Sequence, residues 1–244
     1  MVVAPSQVEQ QNWTPAASAQ LYGLDQWGDP YFSVNARGHV LVQPRGDRGG
    51  SLDLVELVEG LQSRDLQLPL LIRFEDILED RLERLHGAFE RAIAQYGYGG
   101  HYQGVFPVKC NQQRHVVEQL VESGRRWHFG LEAGSKAELL IALSLLDDPK
   151  ALLICNGYKD VSYIETAMLA KKMGLHTIIV IDRFEELETV IEVSKRFNLR
   201  PHIGVRAKLA SRGAGKWQES GGDRSKFGLT AQELIDAVDR LRAV

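Results

Sequence analysis

A parallel β/α array is the fold class this sequence predicts, and three observations predict it. Apolar segments end in polar residues at a near-constant interval: Lys109, Glu132, Asn156, Asp182 and Arg206, separated by 23, 24, 26 and 24 residues. The sequence between them has the spacing of amphipathic helices. The segments Leu152-Leu153-Ile154, Ile178 to Ile181 and Ile203-Gly204-Val205 are continuously apolar, the pattern of parallel strands covered on both faces. An eight-unit barrel at this interval needs roughly 190 residues. From His101 onward the chain has 144 residues and five such strands. It is therefore either an open doubly wound sheet or a TIM-type β/α barrel with about five of its eight units present. The helical pattern Ile235, Val238, Leu241 runs to Val244 without a cap, which favours the partial barrel.

Before the array, residues 1–20 are rich in Gln, Ala and Ser and lack a basic segment followed by an apolar one. They read as a disordered cytoplasmic leader and not as a secretory signal. Residues 21–100 read as a β-hairpin and helical segment. Tyr31 to Val34 and His39 to Val42 flank Asn35-Ala36-Arg37-Gly38, a hairpin with its turn. Arg45 to Gly50 is a loop; Leu52, Val55, Leu57, Val58 and Leu61 approximate a helical stripe, and Leu70-Leu71-Ile72 reads as a short strand. A long helix is expected over Glu75 to Tyr96, buried through Ile77, Leu78, Leu82, Leu85, Phe89 and Ile93, and stopped by Gly97, Gly99 and Gly100. Residues 101–244 form the array. Helix starts there carry an S/T/D-x-x-E spacing: Ser135 with Glu138, Ser162 with Glu165, Asp182 with Glu185, Thr230 with Glu233. Gly174 supplies a left-handed helix stop before the strand Thr177 to Ile181.

A net charge of −3 and a pI near 6.2, with no local run of Lys or Arg, leave no electrostatic footprint for nucleic acid or an anionic membrane. No apolar run approaches the length of a membrane span. The two cysteines, Cys110 and Cys155, lie at strand ends and read as buried or half-buried thiols in a reducing compartment, too few for a disulfide framework.

Three residues are candidates for chemistry, because polar groups at the carboxyl ends of barrel strands carry it. Lys109 follows Val105-Phe106-Pro107-Val108 without a break. It is either a solvated loop charge or an amine for covalent catalysis whose stem enters a partly apolar pocket. Pro107 costs that strand a ladder donor. Glu132 is either an exposed acid near a helix amino end or a counter-charge on the same face as Lys109. Arg206 either faces an anionic cofactor oxygen or pairs with an acid for structure. The glycine-rich stretch Ser211 to Gly228 contains Gly213-Ala214-Gly215-Lys216, but Trp217 occupies the Ser/Thr place of a phosphate loop and the spacer is missing. It reads as a mobile active-site loop.

Several long runs, taken together, resemble the biosynthetic arginine decarboxylase family. They are Phe106 to Gln112, Gly130 to Leu139, Cys155 to Asp160, Gly204 to Ser211, and Gly215-Lys216-Trp217 with Ser225-Lys226-Phe227-Gly228; the resemblance extends from Leu21 onward. It implies the alanine-racemase-like class of pyridoxal-phosphate enzymes, a β/α barrel with a second, β-rich domain. By resemblance, Lys109 holds pyridoxal phosphate through its amine, Glu132 pairs with that amine once it is freed, and Arg206 lies near the cofactor ring. The implied reaction converts L-arginine to agmatine and CO2 for polyamine synthesis, in a cytoplasmic homo-oligomer that uses magnesium. Members are much longer, so the chain reads as the amino-terminal part of such an enzyme. It lacks the family's histidine-glycine-serine strand, glycine-rich phosphate site and acid that pairs with the pyridine nitrogen. Two other readings are a non-catalytic pyridoxal-phosphate carrier and a regulatory module that pairs with a full-length subunit. The amino-terminal hairpin and the long glycine-rich loop argue against the carrier.

Overall fold

The computed structural model describes residues 13–208 and 227–244. The chain divides into two compact units, Met1–Arg81 and Leu82–Val244, with the division falling inside one long helix.

In the first unit, helix α1 (Pro15–Leu21) occupies the end of the stretch expected to lack structure. Thr14 starts it by accepting from the Ala17 N–H at 3.1 Å, and Pro15 fits the first turn, where no amide donor is needed. The short α2 (Leu24–Trp27) leads to strands β1 (Phe32–Val34) and β2 (Val40–Val42), the expected hairpin, with Phe32 opposite Val42. A third strand, β3 (Leu52–Asp53), pairs antiparallel with β2. Leu52 therefore belongs to the sheet and not to the helical stripe. Helix α3 (Leu54–Gln62) begins two residues later, because the Asp53 carboxylate accepts from the Val55 and Glu56 amides. Asp53 also receives Asn35 and His39, so one buried carboxylate holds both the hairpin turn and the helix start. Leu70 to Ile72 form no strand. Apolar content alone does not make one, and among the described residues this segment has no partner strand, with Leu71 facing solvent.

Helix α4 (Glu75–Tyr96) has the expected bounds, and Gly97 stops it in a left-handed conformation. Its buried face differs from the expected stripe. Asp80, Leu82 and His86 are buried, whereas Leu85 and Phe89 are exposed, Phe89 stacking on the Tyr102 ring at 3.7 Å.

The second unit is built on five parallel strands: β4 (Val105–Pro107), β5 (Gly130–Ala133), β6 (Leu152–Cys155), β7 (His176–Ile181) and β8 (His202–Val205). They are joined by α5 (Arg114–Gly124), α6 (Lys136–Leu145), α7 (Val161–Lys172) and α8 (Phe184–Phe197), and α9 (Ala231–Arg242) follows β8. Strand order in space is the order in sequence, with no reversal. A doubly wound sheet reverses at a switch point; an unreversed parallel series is the wall of a β/α barrel.

The helices cover one face of this wall. Leu131, Ala133, Leu153, Cys155, Ile179 and Ile181 are fully buried against Val117, Leu139, Ile164, Met168, Leu187 and Val190 of the helices. Ile154, Ile178 and Val180, which alternate with them, are only half-buried. The expectation of strands covered on both faces holds unevenly: the apolar runs bury one face deeply and the other only partly.

Two of the four expected helix caps are present. Thr230 and Glu233 form a complete reciprocal box, and the Ser135 side chain accepts from the Glu138 amide. Helix α7 is capped by Asp160 and not Ser162, since the Asp160 carboxylate reaches the Tyr163 amide at 2.7 Å and draws the helix start two residues back. Helix α8 has no side-chain cap, and its Glu186, rather than Glu185, reaches back to the Asp182 amide. Gly174 adopts the expected left-handed stop after α7.

The sheet leaves no room at Gly130, where an added Cβ would run into the Leu152 carbonyl oxygen of the neighbouring strand. Gly130→Ala is expected to lower stability by about 2–3 kcal/mol in urea unfolding. Gly60→Ala, on the exposed side of α3 with open space around it, should instead raise it by about 0.5–1 kcal/mol.

Candidate active site

The carboxyl ends of β4 to β8 bring together five polar side chains. Pro107 has no amide to continue the ladder, and β4, with β5 as its only neighbour among the described residues, is the edge position where proline is tolerated. The strand stops there and a single 3₁₀ turn, Val108–Cys110, follows, closed by the Asn111 amide on the Val108 carbonyl. Val108 is fully buried and anchors the turn. Lys109 therefore lies beyond the strand, in that turn, exposed and without an ion pair among the described residues. The expected burial of its stem is not found.

Glu132 is the third residue of β5, in register with Pro107 on one side and Ile154 on the other. Alternation along the strand sends its side chain to the face opposite the helix-packed Leu131 and Ala133. It is 7% exposed, so it is not the solvated acid that position near a helix start could have made it. Its Oε1 accepts from Asn156 Nδ2 at 3.0 Å, and its Oε2 is buried without a partner. Asn156 is the first residue past β6, fixed by its own N–H on the Ala133 carbonyl at 2.9 Å. The loops after β5 and β6 abut so closely that a Cβ at Gly157, which has φ +75°, would strike the Gly134 carbonyl oxygen. Only glycine meets both conditions there.

Asp182, first past β7, is 2% exposed; its Oδ1 receives Arg206 Nη1 at 3.4 Å and its Oδ2 is buried without a partner. Arg206, first past β8, is placed by its N–H on the Ile181 carbonyl, and its half-exposed guanidinium lies 5.2 Å from the Phe227 ring centre. Both alternatives read for Arg206 are thus compatible: it pairs with an acid and stays half-exposed. The chain leaves at Lys208 and returns at Leu229 to the same end of the sheet, where Gly228 N–H donates to the Asp182 carbonyl and Leu229 N–H to that of Arg206. The expected glycine-rich active-site loop lies, for residues 209–226, outside the described residues.

The structure therefore joins Glu132 to Asn156 and Asp182 to Arg206, with Lys109 in the adjacent turn bonded to neither. Asn156 and Asp182 are visible in the sequence as strand ends, and Asp182 also as a helix cap, but nothing in the sequence marks either as part of a site. No spacing in the sequence pairs Lys159 with Glu186. Lys159 Nζ is fully buried and lies 3.0 Å from Glu186 Oε2.

These groups suit pyridoxal phosphate. An exposed amine can take up its aldehyde, two buried carboxylate oxygens have acceptor capacity that no donor among the described residues fills, and a half-exposed guanidinium can meet an anionic oxygen. For a metal the fit is poorer: among the described residues no three His, Cys, Asp or Glu side chains converge. Among the same residues, no helix is long and apolar enough to cross a membrane.

Asn156→Asp sets a second carboxylate against Glu132 and removes its donor, so urea unfolding should show a loss of about 1–3 kcal/mol. Burial pushes the Cys155 thiol up to about 12, whereas Cys110 is exposed, which corrects for the latter the expectation of buried or half-buried thiols. Alkylation at pH 8 should modify Cys110 in the folded protein and Cys155 only on unfolding, as peptide mass mapping would show.

Comparison with known proteins agrees with this geometry. Residues 79–243 match the family described as pyridoxal-dependent decarboxylase, pyridoxal binding domain. A protein of Synechococcus sp. (strain RCC307), named biosynthetic arginine decarboxylase, is 81% identical over 242 residues, covering 99% of this chain and 38% of its own. A protein of the same name from Gloeobacter violaceus is 56% identical over 233 residues, covering 96% of this chain and 36% of its own. The chain thus spans well under half the length of these relatives. Among solved structures, the biosynthetic arginine decarboxylase of Campylobacter jejuni superposes with a TM-score of 0.78 at 34% identity, covering 91% of this chain and 35% of that one. The diaminopimelate decarboxylase of M. jannaschi, at 19% identity and a TM-score of 0.67 over 87% of this chain and 44% of that one, shares the fold. With its parallel wall and strand-end residues in that setting, the chain belongs to the pyridoxal-dependent decarboxylases, whose pyridoxal-binding domain it carries.

Proposed function

We propose that the protein carrying this chain decarboxylates L-arginine to agmatine and CO2, a step that supplies polyamine synthesis, and that this chain is its amino-terminal part. The observation that carries the choice of substrate is the 81% identity over 242 residues to a protein named biosynthetic arginine decarboxylase. Pyridoxal phosphate, when bound, supplies the electron sink that loss of a carboxylate needs. The chain's own residues do the rest by position and charge. Lys109 offers the amine that holds the cofactor, and its exposure leaves it open to exchange with the amino group of an incoming substrate. The unpartnered Oε2 of Glu132 is an acceptor for the lysine ammonium once that amine is released. The half-exposed guanidinium of Arg206 would meet an anionic oxygen of the bound cofactor, while Asp182 holds it from one side.

The same reading takes the protein as a homo-oligomer of the cytoplasm, where Cys110 and Cys155 stay as free thiols. Magnesium has no cluster of ligands among the described residues, and no step of this account uses it.

Reduction with borohydride in the presence of pyridoxal phosphate, followed by peptide mass spectrometry, tests the site. Label on Lys109 alone is expected, and scattered label over surface lysines would contradict it. In the protein with measurable turnover, Lys109→Ala should lower the release of CO2 from carboxyl-labelled arginine by on the order of a thousandfold or more. Equal turnover of ornithine, lysine or diaminopimelate would contradict the assignment of arginine.

A further inference from the structure

We propose that the buried Lys159–Glu186 pair is a latch that fixes the cofactor-facing residues before any cofactor arrives, by holding Asn156 and Asp182 in place; this rests on the assignment of the strand ends as the pyridoxal-phosphate site. One carboxylate gathers three donors. Glu186 Oε1 accepts the Lys159 N–H at 3.0 Å, and Oε2 accepts the Asp182 N–H at 3.0 Å and meets Lys159 Nζ at 3.0 Å. Lys159 Nζ donates in addition to the carbonyl oxygen of Gly157, the residue after Asn156. The Lys159 side chain is fully buried and that of Glu186 is 4% exposed, so water cannot substitute for either partner.

The consequence is a connection between the two bonded pairs of the site. On one side, the hold on the Gly157 carbonyl fixes the turn that presents Asn156 to Glu132. On the other, the hold on the Asp182 amide fixes the residue that orients Arg206. Neither Lys159 nor Glu186 has been placed against the cofactor, so both are positioning residues. A pair that served stability alone could be replaced by apolar groups with little effect. This one cannot, because its carboxylate is also the acceptor for two main-chain amides. By contrast, Lys136, at the start of α6, and Asp160, in the loop after β6, meet at 3.1 Å on the surface, and among the described residues neither bonds to a main-chain group of Asn156 or Asp182.

Lys159→Met keeps the stem length and removes the charge. At temperatures where circular dichroism shows the variant folded, its Kd for pyridoxal phosphate should rise about tenfold to a hundredfold, as small misplacements of binding groups produce. Lys136→Met should leave that Kd unchanged. An unchanged Kd in folded Lys159→Met, or an equal rise in Lys136→Met, would overturn the latch. If Lys159→Met does not fold, amide exchange in the unsubstituted, cofactor-free protein decides. The Lys159 and Asp182 amides should exchange as slowly as those of β6 and β7, and fast exchange there that slows only on adding pyridoxal phosphate would refute a preformed latch. Exchange does not depend on cofactor chemistry. Failure of Lys109 to take label in the unsubstituted protein therefore strikes the site assignment, whereas fast exchange strikes the latch.

Discussion

The parallel ladder from β4 to β8 is the constraint on which every other feature of the site depends. Each strand end is located by hydrogen bonds to its neighbour: Pro107 beside Glu132, Ala133 beside Cys155, Ile181 beside Val205. Because side chains alternate along a strand, a slip of one residue in β5 would turn Glu132 into the helix-packed layer and bring Leu131 or Ala133 to the opposite face. The buried face of Leu131, Leu153, Ile179 and their helix partners opposes such a slip. Packing on one side of the wall thereby sets chemistry on the other.

Charge is organised on that frame with uneven satisfaction. Glu186 is saturated by three donors, whereas Glu132 and Asp182 each keep one buried oxygen without a partner among the described residues. An unmet buried acceptor costs about 1–3 kcal/mol. Among the described residues the buried side-chain atoms without a partner are these two oxygens and His86 Nε2 of α4, and two open acceptors at neighbouring strand ends are the kind of local conflict a binding site shows. The saturated carboxylate lies behind the two open ones and holds the backbone that presents them.

Much of this was legible in the sequence, and the failures have physical causes. The two-dozen-residue interval located Asn156, Asp182 and Arg206 at the first position past their strands. It misplaced Lys109, since proline ended β4 early, and Glu132, since β5 extends through Ala133. The bounds of α4 were legible from its helical pattern and the glycine that stops it, but its buried face was not, because Leu85 and Phe89 suit a core and nonetheless remain exposed. Cap spacing identified Thr230 and misled at Ser162, where Asp160 competes for the same amides. The Lys159–Glu186 pair spans 27 residues and meets only once β6 and β7 lie side by side, so no local pattern announces it. A lysine after Gly157-Tyr158 looks in sequence like an ordinary loop charge.

The central claim is that the strand-end network is assembled by the protein alone, with its vacant acceptors already turned to the site. A high-resolution crystal structure of the cofactor-free protein tests this most directly. The account predicts Asn156 Nδ2 within hydrogen-bond distance of Glu132 Oε1, Arg206 against Asp182, and Glu186 carrying its three donors. A structure in which Glu132 and Asp182 have swung away to other protein partners, with Lys159 in solvent, would contradict it.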